Sequence, residues 1–172
     1  MTHKVFHIIK DMSVSGGAER IVSDLVAYNK NHYVVIWGKK KDLAFAVPSN
    51  KVLFRSGFFS FLICISILIL TGRKNIFHLH LFPSIYFALL FGSKSVIHEH
   101  NTTNKRRKYH IFRALEFVIY RRARKIIAVS PAAAEELSKW VKIRFSNIKV
   151  VDNFVSPAIK KYPDILSDMQ FT

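Results

Sequence analysis

Residues 75–103 read NIFHLHLFPSIYFALLFGSKSVIHEHNTT. Two short runs in it, Asn75–His80 and Ser95–His98, are rich in the β-branched and aromatic residues that suit strands. Between them, Ser84–Phe91 has the length of a short helix. The unit is therefore strand, helix, strand, and the same alternation extends in both directions. Further strand candidates are Lys4–Ile9, Tyr33–Trp37, Lys51–Phe54, Lys125–Val129 and Asn147–Val151. Further helical segments are Ala18–Asn29, Phe58–Leu70, Tyr109–Arg124 and Ala132–Trp140. Strands alternating with helices over a whole chain predict an α/β fold, with a parallel sheet covered by helices on both faces. Ligands of such sheets bind at the carboxyl ends of the strands, here after Ile9, His80, His98, Val129 and Val151.

A length of 172 residues fits one domain, expected over residues 1–156, with 157–172 as a tail or linker. Half the residues are apolar and 22% are charged, which excludes a disordered chain. The 27 Lys and Arg against 11 Asp and Glu give +16, a field that draws phosphate groups or an anionic lipid surface. Cys64 is the single cysteine, so no internal disulfide forms, and a cytoplasmic location is expected. No secretory signal is expected, because the first apolar run, Val5–Ile9 with His7 inside, is too short for one. Phe58–Leu70, FFSFLICISILIL, is uncharged and strongly apolar, but thirteen helical residues reach only about 20 Å across roughly 30 Å of hydrocarbon. The expectation is a packed helix, with peripheral contact to the cytoplasmic face of an anionic membrane left open.

Three features carry chemistry. The loop KDMSVSGGAER, Lys10–Arg20, places Gly16 and Gly17 where a helix begins, so that backbone N–H groups can face a diphosphate. Glu19 falls in the first helical turn and can reach back toward Gly16. Neither a GxGxxG fingerprint nor a GxxxxGK[ST] loop is present, which argues against a nicotinamide enzyme or an NTPase. The second feature is two His-x-His pairs, His78 with His80 and His98 with His100, each pair on one face of its strand. Without a cysteine or carboxylate set beside them, no metal is expected. A neutral imidazole at a strand end suits a hydroxyl-rich ligand, and His78 and His100 are the pair expected to be buried and satisfied. The third is Lys105–Lys125, with nine basic residues and one acid, Glu116. Ile111, Leu115 and Val118 are expected to face the core and Arg113, Arg121 and Arg124 to face out. With no exposed aromatics interleaved, nucleic acid is not the expected partner.

In that order, IIKDMSVSGGAER, FHLH, VIHEHNTT, a basic helix, KIIAVSPAAAEELSKW and IKVVDNFV resemble the Rossmann-like N-terminal domain of GT-B glycosyltransferases. The group resembled is the large retaining family 4 type, which includes bacterial surface-polysaccharide enzymes. The resemblance implies that Gly16, Gly17 and Glu19 approach the donor diphosphate and the acceptor. It implies that His98, with His100 as the alternate, touches the donor sugar in the catalytic site. It places His80, Lys105 and Arg106 on the acceptor side and makes Ser130 a helix cap and a ligand contact. Transfer would run from a nucleoside-diphosphate sugar, the co-substrate, to a polysaccharide or lipid-linked acceptor, with no cofactor. The second domain of that family, with its ExxxxxxxE pattern, has no counterpart in the 172 residues, so the chain is expected to be inactive without a donor-binding domain, for which a separate chain is one expected source. The rival expectation is a non-catalytic basic module that binds an anionic membrane or a phosphate polymer.

Overall fold

The strands are β1 (Val5–Ile9), β2 (His32–Ile36), β3 (Val52–Phe54), β4 (Ile76–His80), β5 (Ser95–Glu99), β6 (Lys125–Ala128) and β7 (Ile148–Val150). In the computed structural model, which describes residues 3–39, 41–54, 57–72 and 74–152, they pair in parallel in the order β3-β2-β1-β4-β5-β6-β7. The expected domain limit at 156 and the tail 157–172 lie outside the described residues. Every expected strand is present with its ends moved by a residue or two. All five residues of β1, β4 and β5 are buried, as strands covered on both faces must be. The edge strands β3 and β7 have three residues each, which keeps the exposed ladder short.

The helices are α1 (Gly17–Tyr28), α2 (Phe58–Thr71), α3 (Ala88–Phe91), α4 (His110–Arg122) and α5 (Pro131–Val141). The chain runs from β1 outward to β3, then returns past β1 to β4 and on to β7. With right-handed crossovers, that reversal moves the later helices to the opposite face. Val22, Leu25 and Val26 of α1 accordingly cluster with Val5, Ile9, Val34 and Ile36 on one side. Phe61, Ile65, Ile119, Tyr120, Ala134 and Leu137 cluster with Phe6, Ile8, Phe77, Leu79 and Ile97 on the other. Helices thus flank both faces, with α1 opposite the other four. The single helix expected over Ser84–Phe91 is a 3-10 turn, Ser84–Phe87, followed by the one α-turn of α3, which Gly92 ends at a φ of 49°.

Helix α4 departs further from expectation. Its buried residues are Glu116, Ile119 and Tyr120, whereas Ile111 is 77% exposed, Val118 45% and Leu115 37%. Hydrogen bonds set the rotation. The Glu116 carboxylate accepts from Arg106 Nε at 2.9 Å, Tyr86 Oη at 3.1 Å and Trp140 Nε1 at 2.7 Å. One turn on, Tyr120 Oη donates to Glu99 Oε2 at 2.6 Å. A buried carboxylate holding three donors outweighs the burial of a few aliphatic side chains, so the apolar stripe turns outward. Arg113, expected to face out, instead donates from Nε to the Trp140 carbonyl at 3.0 Å. Helix α2 buries Phe61, Cys64 and Ile65 and leaves Phe58, Phe59, Ile63, Ile67 and Leu70 exposed. Among the described residues, no helix is long and apolar enough to cross a membrane.

Candidate functional site

The strand order reverses between β1 and β4, so the crevice outside their carboxyl ends is where the fold places a ligand. The loop after β1 forms one wall. Met12 is buried beneath it, and the Asp11 carboxylate accepts from Ser13 N and from Lys41 Nζ, both at 2.8 Å. The Lys41 hydrogen bond, aided by the Ser13 amide, holds the Asp11 carboxyl down at about 2. The loop ends where α1 begins at Gly16, and no side chain caps that start. Glu19 reaches back toward Gly16 as expected, its carboxylate packing so closely there that a Cβ would collide with it, while the Gly16 N–H donates to the Val14 carbonyl at 2.9 Å. Burial, with the negative Asp11 nearby, raises the Glu19 carboxyl above the ordinary glutamate value.

Behind the crevice, within the sheet, lies a buried cluster of histidines. Because β1, β2, β4 and β5 are neighbours in register, His7 faces His78 and His80 faces His98 across the ladders. All four, with His32 and His100, fall on the α1 side of the sheet by strand parity. His32 Nδ1 lies 3.0 Å from His7 Nε2, His7 Nδ1 3.0 Å from His80 Nε2, and His80 Nδ1 3.1 Å from His100 Nε2. Four neutral imidazoles form a chain there, each inner ring donating once and accepting once. His78 and His98 stack face to face, 7° from parallel at 5.3 Å, and both nitrogens of each are buried without a hydrogen-bond partner. Burial drives every one of the six imidazoles to the neutral form, holding His32 and His100 at about 4 and the other four well below their ordinary value.

These positions correct several expectations. His98 does not emerge from the strand into a cleft: it is 1% exposed, inside β5. His80 is likewise fully buried, and His100, expected to be buried and satisfied, is the half-buried member at the ladder's end. His78 is buried as expected but not satisfied. The cause is that β5 continues through Glu99, so the first residue past the sheet is His100. Arg106 is turned inward to Glu116 with its guanidinium over the Phe82 ring at 4.4 Å, and only Lys105 and Lys108 of Lys105–Lys108 are exposed. Ser130 caps α5, its hydroxyl accepting from Ala133 N at 3.1 Å with Pro131 following.

Sequence reading missed His7, single inside an apolar run, and His32, single at the start of one; strand parity combined with the sheet order is the signal that finds them. At the opposite end of the sheet, where β6 and β7 begin, a basic groove is lined by Arg121, Arg124, Lys125, Lys142 and Arg144.

The fold is similar to that of the solved structure of HepE from Anabaena in complex with UDP, with a TM-score of 0.62 at 14% identity. The match covers 95% of this chain and 50% of that one, so the chain spans about half the length of that protein. No curated protein matches the sequence. The family model of Glycosyltransferase Family 4 matches residues 15–159, which begin at the glycine loop and run past the last strand. With most of its length matched and the parallel sheet that the family resemblance implies, the chain belongs to Glycosyltransferase Family 4.

Proposed function

We propose that this domain is the acceptor-side wall of a glycosyl-transfer cleft, whose opposite wall is a donor-binding domain in the same or another polypeptide. The observation that carries the reading is the glycine loop, Gly16 and Gly17, which starts α1 at the point where the strand order reverses. In the reaction, the bond from the sugar's anomeric carbon to the diphosphate oxygen breaks and a bond to the acceptor oxygen forms. The acceptor's proton leaves toward the diphosphate. The Gly17 backbone N–H at the start of α1 stabilises the leaving diphosphate by its fixed dipole, while the Gly16 N–H, donating to the Val14 carbonyl at 2.9 Å, and Glu19, packed on Gly16, hold the loop in shape. His100, the imidazole nearest the surface, takes the sugar-hydroxyl contact, with His80 and His98 behind it as positioning residues. Lys105 and the capped start of α5 at Ser130 face the acceptor, and the domain works at the cytoplasmic membrane face. The exposed apolar side of α2, in a chain of net charge +16, supports an acceptor carried on lipid at an anionic leaflet.

The test combines the 172-residue chain with a donor-binding domain of the same family and follows nucleoside diphosphate release. The chain by itself is expected to release none, and the pair to release it in an acceptor-dependent way. Gly16→Ala, which forces Glu19 out of its seat, is expected to lower that turnover by on the order of a hundredfold. Robust transfer by the chain alone, or an unaffected Gly16→Ala, would overturn the reading. A second reading, a basic module without catalysis, draws its support from the groove of Arg121, Arg124, Lys125, Lys142 and Arg144. It requires that charge reversal in this groove, rather than Gly16→Ala, remove function.

A further inference from the structure

We propose that His80, His98 and His100 form a binding site for one first-row transition-metal dication of the zinc class. The three side chains offer nitrogen atoms that all lie within 4.8 Å of one another. His80 Nδ1 and His100 Nε2 are 3.1 Å apart, close to the roughly 3.3 Å that separates two nitrogens bound at 2.0–2.1 Å in a tetrahedral site. They need only open slightly to admit the ion. His98 supplies what the hydrogen-bonded chain does not use, since neither of its nitrogens has a partner in the protein although the ring is buried. An unpartnered buried imidazole is destabilising, and a metal ion uses its lone pair directly.

The surroundings complete the site. A metal-bound histidine is normally oriented by donating its other N–H, and His80 Nε2 stands 3.0 Å from His7 Nδ1, whose own Nε2 stands 3.0 Å from His32 Nδ1. With the ion on His80 Nδ1, every donor in that chain points outward and every ring stays neutral. The nearest carboxylate along β5, Glu99, is on the other face with Tyr120 and Arg107, so the protein offers three neutral ligands. The fourth position is left to water or hydroxide, which the half-buried His100 places near solvent. Three imidazoles without thiolate or carboxylate suit zinc, copper, nickel or cobalt over magnesium or calcium. The other close triad, His7, His78 and His80, shares His80 and is buried throughout, leaving no such opening. The expectation of no metal rested on the want of cysteine and carboxylate, and it overlooked that three imidazoles and a solvent ligand fill a tetrahedron.

The experiment uses the untagged 172-residue chain, stripped with chelator and dialysed against Zn²⁺, with bound metal read by elemental analysis and Co²⁺ as the coloured probe. One equivalent is expected, with a tetrahedral cobalt spectrum, and a rise in Tm of about 5–10 °C at a hundredfold excess over Kd. Mg²⁺ should do neither. His98→Gln and His100→Gln should each weaken Zn²⁺ by about a hundredfold or more, while the double variant His3→Gln with His110→Gln keeps the affinity. If His98→Gln fails to fold by circular dichroism, the half-buried His100→Gln carries the test. Folded protein that takes up no Zn²⁺, an octahedral cobalt spectrum, or affinity that follows His3 and His110 would overturn the proposal.

Discussion

The two faces of β5 hold polar residues in opposite states. On one face Glu99 accepts from Tyr120 and lies 3.6 Å from Arg107, while Glu116 on the adjoining α4 accepts from Arg106, Tyr86 and Trp140. On the other face His98 has no protein partner, nor does His78 beside it, and His100 leaves Nδ1 unpaired. Both clusters are buried in one domain and one strand supplies a member to each. The difference teaches what each is for. The Glu116 carboxylate, with its donors matched, fixes the rotation of a helix, and of this face only Arg107 keeps unpaired nitrogens; the imidazole face is left short of partners across two strands, which is what the proposed metal site would use.

The comparison breaks most visibly at Glu116. Replacing it with alanine strands the Arg106 guanidinium, the Trp140 indole N–H and the Tyr86 hydroxyl, and should cost about 3–5 kcal/mol of stability. A urea transition displaced by less than a third of that amount would show that the carboxylate does not hold α4. Acid should act next most strongly, and through the histidine face. An unfolded imidazole takes its proton near 6.5, whereas buried His32 is held at about 4. Between those pH values the unfolded chain binds more protons, so stability present above pH 6.5 is lost as pH falls toward 4. The slope is up to about 1.4 kcal/mol per pH unit for each such histidine. Urea curves of metal-free protein at pH 7, 6 and 5 measure it, and equal midpoints would contradict the burial of the cluster. The smallest effect sharpens the contrast: His98→Leu removes two unpartnered nitrogens while keeping the volume, and should change metal-free stability by less than about 1 kcal/mol. A loss comparable to that of Glu116→Ala would mean that His98 is bonded after all.

Much of this was legible in the residues. The seven strands and the break between them follow from runs such as Asn75–His80 and Ser95–His98, since strands buried on both faces must be apolar nearly throughout. The glycine loop could be placed at a strand end because Gly16 and Gly17 stand just before a helical pattern. Ser130 was readable as a cap for the same local reason: its bond spans three residues. Periodicity failed on α4, where Ile111, Leu115 and Val118 mark a stripe that hydropathy assigns to the core. The three donors that override it come from Tyr86, Arg106 and Trp140, and Tyr86 and Trp140 lie 30 and 24 residues away in the chain.

Local pattern therefore determined the α/β class, the strand list, the glycine loop and the α5 cap, because those depend on neighbours within a few positions. Tertiary structure decided which polar groups meet. His7 is 73 residues from His80 and 25 from His32, and their rings touch only because β2, β1 and β4 are adjacent and in a register that puts each histidine on the same face. A register one residue different would send one partner to the opposite face, since side chains alternate along a strand. Burial of that face then withholds water from nitrogens that hydrogen-bond freely in the open chain, and it is this that turns six scattered histidines into one neutral cluster.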